Sequence, residues 1–440
     1  MSTDALAVET FDADATSLQR RRVGWSAFLG TVIEYYDFTL YGLLGPVVFD
    51  KIFFPHTDPM MATLVVLSVY AVGFVGRPLG GLFFSHYGDK IGRKPMMVAA
   101  MTVMGLASTA MGLLPTYQSV GFLAPLLLVV LRIVQGFALG GESAGANVLS
   151  TEVGPEGRRG HYVSMVTSGI FLAWILALGA STAVSFLSPE QLLAWGWRLP
   201  FIASLLLVAV AIWMRLKIEE SAVFVKAIRA KPPARIPFFE LLRDARRPTL
   251  IVLFAAMAES STGFYYLVFG FTYALRTLHI PVTTLLTAML IANIMALALA
   301  PVFGTLSDRF GRRTILSAAY VFSALYAAFL FFPLLESGST PLIYLAMILP
   351  IGIGSPWAIG VIGSFYSEQF ADARLRYSGV GFSRGLGTSL GGGLMPLVAA
   401  SLMAATNGSQ IGPIVWFDMV CIGAIIAILL ARETKDEPLS

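Results

Sequence analysis

Two stretches decide the fold: "SHYGDKIGRK", Ser85 to Lys94, and "GTLSDRFGRR", Gly304 to Arg313. Aligned on Asp89 and Asp308, the copies lie 219 residues apart in a chain of 440. Each follows an apolar run long enough to cross a bilayer. A second pair, "EVGPEGRRG" from Glu152 and "EQFADARLRYSG" from Glu368, repeats at nearly the same offset. Repetition at half the chain length marks a duplicated architecture. In membrane proteins built from parallel repeats, a ligand site lies near mid-membrane where the repeats meet.

Composition supports a membrane-embedded chain. It is 56% hydrophobic and only 13% charged, about half the charged share of a soluble domain. Apolar runs predict twelve spans at about 24–46, 62–86, 95–114, 121–150, 161–186, 196–215, 248–276, 282–306, 314–334, 341–367, 377–403 and 411–431; each meets the roughly 20-residue requirement of a helical crossing. The weakest break is "RTLHIP" between spans seven and eight. The expected organisation is an all-α membrane protein: an amino-terminal segment 1–23, a six-helix bundle 24–215, a polar linker 216–247, a second bundle 248–431 and a tail 432–440. No small-residue cleavage site follows the first run, so it is read as a retained span. The amino terminus, the loops after even-numbered spans and the tail hold 24 of the 30 Lys and Arg residues. The positive-inside rule then makes that face, and both termini, cytoplasmic. The expected location is a bacterial plasma membrane, with the chain acting as a monomer.

With these features the chain resembles the major facilitator superfamily, whose loop motif "GxxxDRxGRR" matches Gly304 to Arg313. The first copy departs from it at Ser85 and Lys90. Within the superfamily it resembles the metabolite:proton symporter family, which includes transporters of shikimate, citrate, 2-oxoglutarate and proline or betaine. The resembling residues are "EYYDFTLYG" in span one, "RPLGG" at Arg77 to Gly81, "RIVQGFALGGE" at Arg132 to Glu142, "WGWRLPF" at Trp195 to Phe201, and "RYSG" with "GGG" in span eleven. The resemblance implies twelve helices in two bundles and coupling to a proton gradient. Two positions depart from the family pattern: Ser143 stands where a Trp is common, and Ser383-Arg384 replaces Tyr-Gln or Tyr-Asn. Both bear on substrate rather than fold.

Seven charged residues inside spans stand out: Glu34, Asp37, Arg77, Arg132, Glu142, Glu259 and Arg384. A charge at mid-bilayer costs on the order of 3 kcal/mol on insertion scales, so such residues usually face a cavity and act there. From the helical rise, Glu34 lies about 15 Å and Asp37 about 20 Å from the start of span one, and Arg132 about 15 Å from either surface. Spacing puts Glu34, Asp37 and Tyr41 on one helix face. Arg132 beside these acids would form an ion pair that a proton on Asp37 or Glu34 weakens; a static pair pinning two helices is the plain alternative. Other symporters of the superfamily use an acid in span one with an arginine in span four, which matches Asp37 and Arg132.

Glu259, about 16 Å into span seven, opens "ESSTGFYY"; with Tyr265, Tyr266 and Asn293 of span eight it is a candidate for substrate contact. The competing reading is that Ser, Thr and Asn join helices and tyrosines fill space. Arg384, about 10 Å from the cytoplasmic end, either clamps a carboxylate or snorkels to the surface. Arg77 is read as shallow and structural. Asp89, Arg93, Asp308 and Arg312 form a candidate cytoplasmic gate, in which the Asp residues bond helix amino-terminal amides and the arginines bridge to acids across the bundles.

No nucleophile–base pair, phosphate loop or spaced metal ligands are legible, so no enzyme, cofactor or metal is expected. No basic face with interleaved aromatics suggests nucleic acid. The expected function is proton-coupled import of a small organic anion, a mono- or dicarboxylate such as a shikimate-like or aromatic acid. A symporter of a zwitterionic osmolyte such as proline or betaine is the alternative; about nine residues follow the last span, too few for the heptad tail of osmosensing members. A drug–proton exporter is disfavoured because "TSGIFLAWILALGA" in span five lacks a Gly-Pro pair.

Overall fold

In lipid, every backbone N–H and C=O must be satisfied within the segment, which leaves helices as the solution for runs of this length. The computed structural model describes residues 3–91, 93–216, 241 and 243–437, and these contain helices and no strand. The side chains of Asp89, Arg93, Glu142 and the first 23 residues, and most of the 216–247 linker, lie outside the described set.

The helices are α1 Thr3–Leu44, α2 Met61–Phe84, α3 Pro95–Gly112, α4 Leu123–Val153, α5 Arg159–Ser185, α6 Pro189–Gly196 with Arg198–Val210, α7 Arg246–Arg276, α8 Val282–Phe310, α9 Arg312–Leu335, α10 Thr340–Gln369, α11 Arg376–Ala405 and α12 Ile411–Leu430. Among the described residues, ten pass a test of length and apolarity for crossing a membrane; α6, bent by 41°, makes an eleventh. The remaining one is α1, the helix that carries Glu34 and Asp37. Apart from α1, which begins at Thr3 rather than near 24, and α6, which opens at Pro189 rather than near 196, the edges agree with the sequence reading to within a few residues, and the weak break before α8 is a true turn, with His279 at φ 52°.

The surface explains why the chain needs lipid. On α12, Ile411, Val415, Met419, Ile422, Ile426 and Leu429 are all exposed, at the three-and-four spacing of one helix stripe. A soluble protein would not leave so continuous an apolar strip uncovered. Within each half, small residues set the packing. A Cβ on Gly136 or Gly140 of α4 would collide with the Gly73 and Arg77 carbonyls of α2, so the backbones touch as small-xxx-small helices do. The halves α1–α6 and α7–α12 meet where α2 and α4 pack on α11, and where α5 packs on α8 and α10. Several spans contain a π-helical turn, including Gly45–Phe49 after α1, Tyr265–Gly270 in α7 and Ser389–Gly393 in α11. Such turns often occur at functional sites.

Candidate functional site

Two buried polar groups occupy the middle of the molecule, and Glu34 and Asp37 belong to different ones. The first lies inside the amino-terminal half. Ser108 Oγ of α3 donates to Asp37 Oδ2 of α1, Gln135 Nε2 of α4 donates to Ser108 Oγ at 2.7 Å, and Arg132 Nη1 donates to Gln135 Oε1 at 2.6 Å. All four side chains are fully buried. The Arg132 guanidinium lies over the Phe38 and Tyr41 rings at 4.2 and 4.3 Å and reaches the Tyr70 carbonyl at 3.3 Å. Cation–π contact of this kind strengthens once water is excluded. Gly73 makes the berth: a Cβ there would lie 2.8–2.9 Å from the guanidinium atoms.

This corrects the expected Asp37–Arg132 contact pair. Among the described residues no ion pair joins them. Arg132 lies flat against the α1 and α2 rings, and Gln135, one turn on, takes the position facing α3. The chain of hydrogen bonds ends on Oδ2 of the Asp37 carboxylate, while its Oδ1 is buried without a partner among the described residues. Tyr41 belongs to this group through its ring, and its hydroxyl lies 3.5 Å from the Val66 carbonyl.

The second group lies between the halves. Arg384 Nη2 of α11 donates to the Tyr35 hydroxyl of α1 at 2.8 Å. Arg384 also interacts electrostatically with Glu34, Glu259 and Tyr366, and Arg77 interacts with Glu34, Tyr35 and Arg384. Arg77 and Arg384 line one small cavity of about 10 Å³ with Gly140, Gly381 and Thr388, space for about one water. Glu34 Oε1, Arg77 Nε, Trp174 Nε1 and Tyr366 Oη are buried with no hydrogen-bond partner among the described residues. Buried orphan donors and acceptors carry a penalty of roughly 1–3 kcal/mol each, and native proteins explain such groups by function or by an absent ligand or water.

Three expectations change here. Arg77 has more than a peripheral structural place: it is 5% exposed, lies over Phe38 and Phe74 at 4.3 and 4.1 Å, and joins the central group. Arg384 does not snorkel; at 8% exposure it bonds inward. Glu34 and Asp37, about 60° apart around α1, meet different partners: Glu34 the Arg77–Arg384 group and Asp37 Ser108 of α3.

Glu259 sits in the central group, where Ser260 Oγ donates to its Oε2 at 3.3 Å. Tyr265 and Tyr266 turn the other way. Tyr265 stacks on Phe417 of α12 at 4.4 Å, and Tyr266 Oη donates to the Ser323 carbonyl of α9 at 3.2 Å. Both pack inside the second half, at the start of the π-helical turn Tyr265–Gly270. Asn293 is fully buried and donates to its own helix at the Met289 carbonyl, 2.8 Å away.

The face bearing the repeated loops is tied across the halves. Asp308 accepts the amides of Gly160 and His161 at 2.9 Å each, at the amino terminus of α5, where the helix dipole favours an anion. Arg312 bonds Asp308 at 2.7 Å and Glu368 at 3.3 Å. Both acids belong to its own half, so Arg312 does not itself bridge the bundles as expected. The bridge is made by Asp308 and by Arg376, which pairs with Glu152 at 3.2 Å. The tail takes part. Glu433 accepts the amides of Arg312 and Arg313 at 2.9 and 3.1 Å, Thr434 donates to Glu368 at 2.7 Å, and Arg159 donates to the Glu437 carbonyl at 2.8 Å.

The opposite face is less closed. Arg276 at the end of α7 pairs with Asp50 and with the Pro46 carbonyl beyond α1. Beside this contact lies a cavity of about 760 Å³ bounded by the ends of α1, α2, α7, α8 and α11. Sequence reading missed Tyr35, Ser108, Gln135, Arg376 and Arg276 as partners. Ser108 and Gln135 were findable as polar residues in mid-span; the others needed a partner from a distant helix.

Residues 27–396 match the Major Facilitator Superfamily. The chain belongs to the major facilitator superfamily. Among its relatives, the shikimate transporter of Escherichia coli (strain K12) is 35% identical over 428 residues, 96% of this chain and 97% of that one. An inner membrane metabolite transport protein of the same organism is 35% identical over 425 residues, covering 96% of each. The proline/betaine transporter of Escherichia coli is 29% identical over 431 residues, covering 95% of this chain and 85% of the relative. The crystal structure of a D-xylose-proton symporter superposes with a TM-score of 0.71 at 17% identity, covering 96% of this chain and 100% of that one, which is a likeness of fold. This superfamily member is therefore a multi-pass membrane transporter of the metabolite-transporter branch, not an enzyme.

Proposed function

We propose that this chain is a proton-coupled symporter that imports a small organic anion by rocking its two halves around the Arg77–Arg384 group. It works as a monomer in a bacterial plasma membrane, with the face tied by Asp308 and Arg376 in the cytoplasm. The observation that carries the reading is one arginine from each half meeting at one cavity, beside Glu34, Glu259 and unpartnered donors. An anion held between Arg77 and Arg384 ties the halves together, and bidentate guanidinium–carboxylate geometry supplies the selectivity. The 35% identity to a shikimate transporter makes a cyclic monocarboxylate the first substrate to test.

In this reading Asp37 carries the coupling proton. A proton on Asp37 turns an acceptor into a donor, so Ser108 and Gln135 must reorient and Arg132 loses the end of its chain. Glu34 is the second proton position, since it shares the group that would hold substrate. Asp308, Arg312 and their partners form the cytoplasmic gate.

A second reading rests on Glu34 and Glu259. Two carboxylates beside two arginines also suit a zwitterion, and a proline/betaine transporter is among the relatives. Uptake into proteoliposomes under an inward proton gradient, with shikimate, benzoate, succinate, proline and betaine, separates the two. Accumulation of a carboxylate that a protonophore collapses supports the anion reading. Accumulation of proline or betaine alone supports the second, and no gradient-driven uptake of any of them overturns both.

A further inference from the structure

We infer that the 760 Å³ cavity on the outer face is a first-contact site for the carboxylate of the transported anion, with Lys51 and Arg276 as its cations. The inference rests on the anion reading above. The outer face of the whole chain carries only Lys51, Arg198 and Arg276 as Lys or Arg residues, and two of these three line this cavity. Its volume lies within the roughly 300–1,000 Å³ range of small-molecule sites, and its wall has the usual mixture of apolar surface and a few convergent polar groups. Thr63, Tyr273, His279 and Asn407 supply the polar positions.

The two cations are not equivalent. Lys51 is exposed and has no ion pair among the described residues. Arg276 is held by Asp50, the residue next to Lys51 in the chain, while its Nε is buried without a partner. An incoming carboxylate meets Lys51 first and then competes with Asp50 for the Arg276 guanidinium, whose planar fork suits a carboxylate. Because Arg276 to Asp50 and Pro46 is a contact between the two halves, that exchange loosens the outer closure as the anion arrives. Beyond the cavity, Phe264 of α7 packs on Tyr70 and Phe74 of α2 at 5.8 and 5.6 Å. This aromatic layer separates the outer site from Arg77 and Arg384. The π-helical turn at Tyr265–Gly270 follows Phe264 directly, so the outer part of α7, with Arg276, can swing about the point where the layer must open.

The test uses a single thiol. Cys421 is the only cysteine and is buried, so Cys421→Ser with Ala404→Cys places one reactive group on the cavity wall. The full chain in proteoliposomes is labelled with an anionic and a cationic methanethiosulfonate, each rate normalised to a free thiol. The anionic reagent is expected to be favoured, and shikimate, benzoate or succinate is expected to slow labelling. Lys51→Gln should lower the reagent preference by about threefold or more, as local electrostatic focusing predicts, and should weaken carboxylate protection. Asp50→Asn, which removes the competitor for Arg276, should strengthen protection. In uptake, Lys51→Gln should raise KM about three- to tenfold with kcat retained, the mark of lost ground-state binding. No protection by any of the three acids, or a preference unchanged by Lys51→Gln, overturns the site. Failure of gradient-driven carboxylate uptake while protection persists overturns the functional reading and leaves the site standing.

Discussion

Arg384 of α11 donates a hydrogen bond to the Tyr35 hydroxyl of α1 at 2.8 Å, across the boundary between the two halves of the protein. In an alternating-access cycle a contact like this must strengthen or break as the halves rock. Arg384→Gln is expected to reduce carboxylate uptake at least tenfold while the protein still inserts and purifies. Tyr35→Phe removes one charge-assisted bond, worth about 1.5–3 kcal/mol, and is expected to raise KM about tenfold. Initial-rate uptake, with detergent melting as the stability control, checks both; equal losses of transport and melting temperature would mark the pair as structural.

Asp37→Asn keeps the shape of the side chain and an acceptor for Ser108 but cannot ionise. Gradient-driven accumulation should be lost, while exchange of labelled for unlabelled substrate across the membrane persists in part. Gln135→Leu cuts the same chain at its middle and should uncouple uptake in the same way. Unchanged concentrative uptake in either variant would remove this network from the coupling mechanism.

Gly73→Ala puts a methyl group 2.8–2.9 Å from the Arg132 guanidinium, a distance that forces the arginine off the Phe38 and Tyr41 rings. The expected result is at least a tenfold loss of coupled uptake. Val75→Ala, two residues on and 61% exposed on the lipid side, should leave uptake within about twofold of the parent, as exposed substitutions usually do. Comparable losses in the two would point to a general packing effect in α2.

Glu433 caps the start of α9 through two backbone amides. Glu433→Ala should cost about 1–2 kcal/mol of local stability, the scale of a lost helix cap. It should also free the tail segment that meets Arg159 and Glu368. Amide hydrogen exchange at the beginning of α9 and α5 should quicken, and Asp308→Asn should quicken it at α5 more than at α9. Exchange rates equal to those of the parent would show that the tail adds nothing to this closure.

The amino-acid sequence alone determined the spans, their doubling and the loop that carries Asp308. Each of these depends on one coordinate, position along the chain: apolar length sets whether a run crosses lipid, and a repeat of 219 residues needs no knowledge of contacts. The same coordinate, turned into depth by the helical rise, put Glu34, Asp37, Arg132 and Glu259 far from the span ends, and the structure buries all four. Which charge faces which was decided only by the tertiary structure. Depth says nothing of which neighbouring helix a side chain meets, and packing gave Glu34 to Arg77 and Arg384 but Asp37 to Ser108. Packing on Phe417 of α12 and Ser323 of α9 took Tyr265 and Tyr266 away from the halves' boundary. Arg77 looked peripheral because its own helix placed it near an end, yet α1 and α11 converge there and close over it. Partners supplied by helices hundreds of residues apart are a property of packing, and no local pattern encodes them.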